Sequence, residues 1–190
     1  MIKYPIGIFI SGRGSNLKSI INASKDANFP GNIVLVFSDN PNSKGMKIAL
    51  ESNIDTFSID INNFKDANSF EEEILRLIKP YNLELICLAG YMKILSKKFI
   101  DKFSGKIINI HPSLLPKYKG LNTHRRVIEN MDTISGCTVH YVNENLDDGE
   151  IIIQREISID ADDTENTLAD KILKEEHIIY PEAIRLVLKK

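Results

Sequence analysis

Short unbroken apolar runs alternate along this chain with stretches whose apolar residues recur every three to four positions. Ile6-Gly7-Ile8-Phe9-Ile10, Ile33-Val34-Leu35-Val36-Phe37 and Leu83-Glu84-Leu85-Ile86-Cys87-Leu88 have strand length and little alternation. That is the pattern of strands covered on both faces. Thr56-Phe57-Ser58-Ile59 is a weaker strand, and Lys106-Ile107-Ile108 leads a further one into Asn109. Between the strands the spacing predicts helices beginning at Leu17 and over 44–52, 64–79 and 96–103, the last capped by Ser96. In the 64–79 helix, Phe70, Ile74, Leu77 and Ile78 share a face, and Glu71-Glu72-Glu73 near its start reads as a solvated face. Strand–helix alternation to about residue 110 predicts an α/β, doubly wound, mostly parallel sheet. After Pro116 the pattern changes. A short helix over 122–130 precedes strands over 135–142 and 150–159, which can pair as an antiparallel C-terminal hairpin with Cys137, Val139 and Tyr141 on one face. A long final helix over 164–188 starts at Asp162-Asp163-Thr164-Glu165 and ends at Lys189-Lys190, matching the macrodipole at both ends. Pro181 predicts a kink or break near Tyr180.

With 190 residues and 43% hydrophobic residues, the chain can bury one core, so a single domain over 1–190 is expected, with 1–110 as its parallel half. A net charge of −2 and a pI near 6.1 point to no nucleic-acid partner and no membrane surface. No apolar run approaches the roughly 20 residues of a membrane span, and the N-terminus lacks a signal-peptide layout. Cys87 and Cys137 sit among apolar or small residues and read as reduced core thiols of a cytoplasmic protein. His111, His124, His140 and His177 show no metal-ligand spacing, so no metal is expected.

Two stretches carry candidate chemistry. Ser11-Gly12-Arg13-Gly14-Ser15-Asn16 lies between the first strand and its helix, where outward N–H groups and the helix N-terminus favour a phosphate. The other reading is a tight turn that uses glycine for geometry and Ser15 as a helix cap. It is not a dinucleotide fingerprint, because the third glycine would fall at Leu17, and no Gly-Lys-Ser/Thr follows. In Asn109-Ile110-His111-Pro112, Asn109 and His111 lie two apart and share one side of an extended backbone. One is a fixed amide donor and the other an ionisable ring. A catalytic pair and a plain strand cap both fit that spacing. The segment 116–130 directly follows this strand and is placed to cover it.

Taken in order, Ser11-Gly12-Arg13-Gly14-Ser15-Asn16-Leu17, Leu88-Ala89-Gly90-Tyr91-Met92-Lys93-Ile94-Leu95, Asn109-Ile110-His111-Pro112-Ser113-Leu114-Leu115-Pro116 and Leu146-Asp147-Asp148-Gly149 resemble the phosphoribosylglycinamide formyltransferases, folate-dependent enzymes of purine synthesis. The resemblance covers nearly the whole chain and implies the Rossmann-like formyltransferase fold, with 111–190 as the folate-site and C-terminal half. It implies formyl transfer from 10-formyltetrahydrofolate, the co-substrate, to the amine of glycinamide ribonucleotide. The alternative is the formyltetrahydrofolate deformylases, hydrolases with a similar catalytic set that normally carry an additional N-terminal domain. By the same resemblance Asn109, His111 and Asp147 are catalytic, with Asp147 raising the pKa of His111. Gly14, Ser15, Asn16 and Glu176 bind the acceptor. Met92, Lys93, Ile94, Leu95, Asn109, Asn143 and Asp147 line the folate pocket. On residues alone, Asp147 reads as a turn acid, Glu176 as a solvated carboxylate, Met92, Ile94 and Leu95 as core, and His140 and His177 as structural histidines satisfied by hydrogen bonds. The expected partners are these two small molecules, with the chain a monomer or homodimer. Where the family often has an arginine before the third helix, this chain has Ala67 with Lys65 nearby, and it lacks the C-terminal tail of many members.

Overall fold

In a computed structural model that describes residues 2–189, seven strands form one sheet in the order β3-β2-β1-β4-β5-β6-β7. They are β1 (Tyr4–Ile10), β2 (Gly31–Ser38), β3 (Asp55–Ser58), β4 (Leu85–Leu88), β5 (Lys106–His111), β6 (Ile134–Tyr141) and β7 (Ile151–Ser158). The first five pair in parallel, and β6 and β7 add antiparallel. The doubly wound, mostly parallel sheet with an antiparallel C-terminal hairpin is therefore present as expected. Its order reverses between β1 and β4, the switch point outside whose carboxyl ends ligands bind in such sheets.

The helices are α1 (Ser15–Ser24), α2 (Lys44–Glu51), α3 (Ala67–Ile78), α4 (Lys97–Lys102), α5 (Thr123–Glu129) and α6 (Glu165–Leu188). The unbroken apolar runs are explained by two cores. Ile6, Ile8 and Ile10 of β1 face one, with Leu17 and Ile20 of α1 and Ile172, Ile179 and Ile184 of α6. Phe9, Leu35 and Phe37 face the other, with Phe70 and Ile74 of α3 and Phe99 of α4. The rings of Phe9 and Phe37 lie 4.9 Å apart between centroids, a contact range favourable for tilted aromatic pairs.

Four expectations are corrected here. The third helix starts at Ala67 rather than 64, because Asp66 and Ser69 form a reciprocal capping box that sets the boundary. Glu71 is not solvated. It is 7% exposed, and its carboxylate accepts the Ser96 N–H at 2.7 Å and the Ser96 hydroxyl. Ser15 caps nothing: the N-cap of α1 is Gly14, left-handed at φ 76°, with no side-chain bond. A Cβ at Gly14 would meet the Gly45 Cα at 2.6 Å, so this turn requires glycine for both its torsion and its close approach to α2. Finally, α6 runs unbroken through Pro181. Proline removes the N–H that would bond the His177 carbonyl four residues back. The Ser19 hydroxyl of α1 donates to that carbonyl at 2.6 Å and satisfies it from outside the helix. The Tyr180 hydroxyl, fully buried, donates to the Leu88 carbonyl at 2.8 Å and lies 3.3 Å from that of Ile108, which ties α6 under β4 and β5. Thr164 caps α6, with Thr167 completing its capping box. Lys190, expected to complete the basic end of this helix, lies outside the described residues.

Candidate active site

A cavity of about 1130 Å³ opens at the carboxyl ends of β1, β4 and β5. Asn109, His111, Asp147, Gly14, Ser15, Asn16, Glu176, Met92, Lys93, Ile94, Leu95 and Asn143 all border it. Ala67 and Lys65 do not.

At one end the antiparallel register sets Asn109 of β5 opposite His140 of β6, and His111 opposite Thr138. The Asn109 amide Nδ2 lies 3.3 Å from His140 Nε2 and donates to Asp147 Oδ1 at 3.4 Å. His140 Nδ1 faces the Tyr141 carbonyl at 2.8 Å. With a proton on Nδ1, His140 donates to the carbonyl, and its Nε2 accepts from Asn109. His140 is thus hydrogen-bonded as expected, but it also holds the Asn109 amide. The alternation that sets Cys137, Val139 and Tyr141 on one face puts His140 on the other, toward Asn109, so the pattern held that signal.

His111 is 6% exposed. Its Nδ1 lies 3.3 Å from Asp147 Oδ2 and its Nε2 2.9 Å from the Tyr118 carbonyl. Burial pushes the His111 pKa below the ordinary histidine value and outweighs the Tyr118 carbonyl and the Asp147 carboxylate, which both push it up. Asp147 therefore acts with the expected sign, and desolvation is the larger effect on the ring. Asp147 itself sits at φ 48°, a left-handed conformation that aspartate tolerates better than most residues. Burial pushes its pKa up, but the neighbouring His140, the Gly120 N–H at 2.9 Å and His111 more than offset that and hold it below the ordinary carboxylate value. Two residues on, Gly149 has no room for a side chain: a Cβ there would meet the Tyr141 carbonyl oxygen at 1.7 Å. Asp147 thus lies in a turn and borders the cavity.

The Tyr118 carbonyl and Gly120 N–H, which sequence reasoning missed, belong to the segment 116–130. Arg126 fixes that segment by donating to the Lys119 carbonyl at 2.7 Å and stacking 5.2 Å from the Tyr118 ring. The Tyr118 hydroxyl donates to Asp132 at 2.8 Å. Backbone atoms leave no residue-type signature, which is why they could not be read in advance.

At the other end, Asn16 Nδ2 donates to Glu176 Oε2 at 2.8 Å, a buried bond between α1 and α6. Glu176 is 7% exposed and so not a solvated helix carboxylate. Burial pushes its pKa above the ordinary value, against the Asn16 bond and the positive charge of Arg13. Asn16 Oδ1 is buried with no protein partner among the described residues. Between the two ends, Met92 and Ile94 are 62% and 68% exposed, whereas Leu95 is buried. Core packing therefore explains Leu95 alone, and the other two present apolar surface to the cavity. His177 departs from expectation, because its Nε2 is buried without a partner among the described residues.

A family model described as formyl transferase matches residues 5–184. The chain is 39% identical over 176 residues to the phosphoribosylglycinamide formyltransferase of Escherichia coli (strain K12), covering 93% of this chain and 83% of that protein. It is 42% identical over 187 residues to the trifunctional purine biosynthetic protein adenosine-3 of Chironomus tentans, where the match takes in 97% of this chain but spans only 14% of the longer protein. The crystal structure of phosphoribosylglycinamide formyltransferase from Brucella melitensis is 40% identical, with a TM-score of 0.95 over 99% of this chain and 97% of that one. By these likenesses, and with the fold described above, the chain belongs to the formyl transferase family, among its phosphoribosylglycinamide formyltransferases.

Proposed function

We propose that this chain transfers the formyl group of 10-formyltetrahydrofolate to the amine of glycinamide ribonucleotide, as a step of purine biosynthesis. One observation carries the reading. The paired Asn109, His111 and Asp147 occupy one end of a cavity whose other end is a phosphate-type loop beside a buried carboxylate. In this reading residues 1–110 supply the nucleotide half, with Gly14, Ser15 and Asn16 holding the acceptor phosphate and Glu176 its ribose hydroxyls. Residues 111–190 supply Asn143 and Asp147 to the folate pocket, which Met92, Lys93, Ile94 and Leu95 of the first half complete.

Attack of the amine on the formyl carbon turns its oxygen into an oxyanion. The Asn109 amide, held by His140, exchanges its long 3.4 Å bond to Asp147 for a bond to that oxygen. Burial lowers the His111 pKa in the free site, while both its ring nitrogens face oxygen acceptors, Asp147 and the Tyr118 carbonyl, which favour the imidazolium. Negative charge growing beside it favours protonation, and Asp147, kept ionised, stabilises the imidazolium while the proton moves from amine to leaving nitrogen. Hydrolysis of the formyl folate, the alternative, leaves the loop and Glu176 without a ligand. An assay of formyl transfer run beside hydrolysis in water separates the two. Transfer that depends on glycinamide ribonucleotide is expected. Formate release at the same rate with and without the acceptor would overturn the proposal.

A further inference from the structure

The loop between β4 and α4, which presents Met92 and Ile94 to the cavity, is held at both ends by side chains from other elements. At its far end, Glu71 of α3 takes the Ser96 N–H and hydroxyl, and Ser96 in turn caps α4 through the Phe99 N–H at 3.1 Å. At its near end the anchor is Ser11, the first residue of the phosphate-type loop. The Ser11 N–H donates to the Gly90 carbonyl at 3.1 Å, and the Ser11 Oγ accepts the Met92 N–H at 2.8 Å. Residues 93–95 are therefore suspended between two fixed points, one of which belongs to the opposite half of the cavity.

We propose that Ser11 is a positioning residue that couples the two halves, so that occupancy of the acceptor loop sets the folate loop. This rests on the functional reading above and adds to it. Ser11 borders the cavity, and no acceptor among the described residues takes its O–H, which leaves that proton for an oxyanion on the adjoining loop. A hydroxyl that donates becomes a better acceptor, because each bond in a chain polarises the next. Donation to a phosphate thus strengthens the Met92 N–H contact and steadies the peptides that frame the folate. Coupling of this kind is reciprocal: the folate must tighten the acceptor by the same factor.

The test is a calorimetric titration of tetrahydrofolate, which cannot donate formyl, with and without saturating glycinamide ribonucleotide, and the reverse titration. In the native protein each ligand is expected to tighten the other by about fivefold or more. In Ser11→Ala each still binds alone, but the factor falls to near one, and Ser11→Thr, which keeps the hydroxyl, restores it. A purely structural role would weaken both ligands and leave the factor unchanged. An equal factor in native and Ser11→Ala proteins overturns the proposal, as does a native factor of one. Amide exchange at Met92 in the native protein provides a check that needs no variant. Protection must rise on adding the acceptor alone, and unchanged protection overturns the coupling. Failure of the native chain to bind either ligand removes the functional reading itself, whereas binding of both without coupling removes only this inference.

Discussion

The two ends of the cavity hold carboxylates of opposite behaviour. Asp147 is half-buried and Glu176 buried, and the first is held below the ordinary carboxylate range and the second above it. Depth of burial and company both differ. Asp147 receives a backbone N–H and faces two histidines, while Glu176 has one amide and the distant charge of Arg13. In the proposed reading the reacting end has its polar groups paired with one another, whereas the acceptor end holds a buried carboxylate and an amide oxygen, Asn16 Oδ1, without a partner among the described residues. A binding end short of partners gains most when a ligand supplies them.

The contrast is exposed most strongly by His111→Ala. Turnover is expected to fall about 100- to 1000-fold, the usual cost of losing one oxyanion-stabilising group, with little change in the affinity for the acceptor in a binding titration. Equal losses in both would make the two ends one functional unit. Asp147→Asn comes next. Removing the anion takes away a contribution that raises the His111 pKa, so the His111 limb of the pH–rate profile should move to lower pH while turnover falls. An unmoved limb would show that Asp147 does not act through His111. For Glu176→Gln the two ends should part company. Its folded pKa is raised, so its contribution to stability is present below the unfolded value and lost as pH rises through the folded one. At neutral pH the charged carboxylate opposes folding. The amide should therefore raise the melting temperature of the free protein, by about 2–4 °C per kcal/mol regained, while weakening the acceptor. An unchanged or lower melting temperature at pH 7 would refute this. For Asp147 the sign is reversed: its stabilisation is present above the unfolded value and lost as pH falls through its lowered one. The smallest effect is expected for Ser19→Ala, which strands the His177 carbonyl and should cost about 1 kcal/mol in chemical denaturation, with kinetics intact.

Much of this architecture was legible in residue order, and the places where it was not have physical causes. Ile6 to Ile10 and Ile33 to Phe37 announced doubly covered strands because both faces meet helices. The shared side of Asn109 and His111 followed from the two-residue period. Glu71 was misread because a triple glutamate run resembles a solvated face unless its partner is known, and Ser96 lies 25 positions away. Pro181 was misread for the same reason, since the hydroxyl that repairs the helix comes from Ser19. The sign of the net shift at His111 depends on burial, which no local spacing reports. The misses at Glu71 and Pro181 each involve a contact distant along the chain.

The two cysteines, one on β4 and one on β6, give this fold an internal clock. Both are fully buried, and burial drives the Cys87 thiol far up and the Cys137 thiol up to about 12. Neither can react with an alkylating reagent from the native state, because the thiolate is the nucleophile. Labelling must await an opening event, and its rate reads the free energy of the smallest opening that frees each sulfur. Cys87 lies between parallel neighbours near the middle of the sheet, whereas Cys137 lies one strand from its edge. Cys137 should label first if the antiparallel edge opens separately. Matched rates would mean that the whole sheet opens as one cooperative unit.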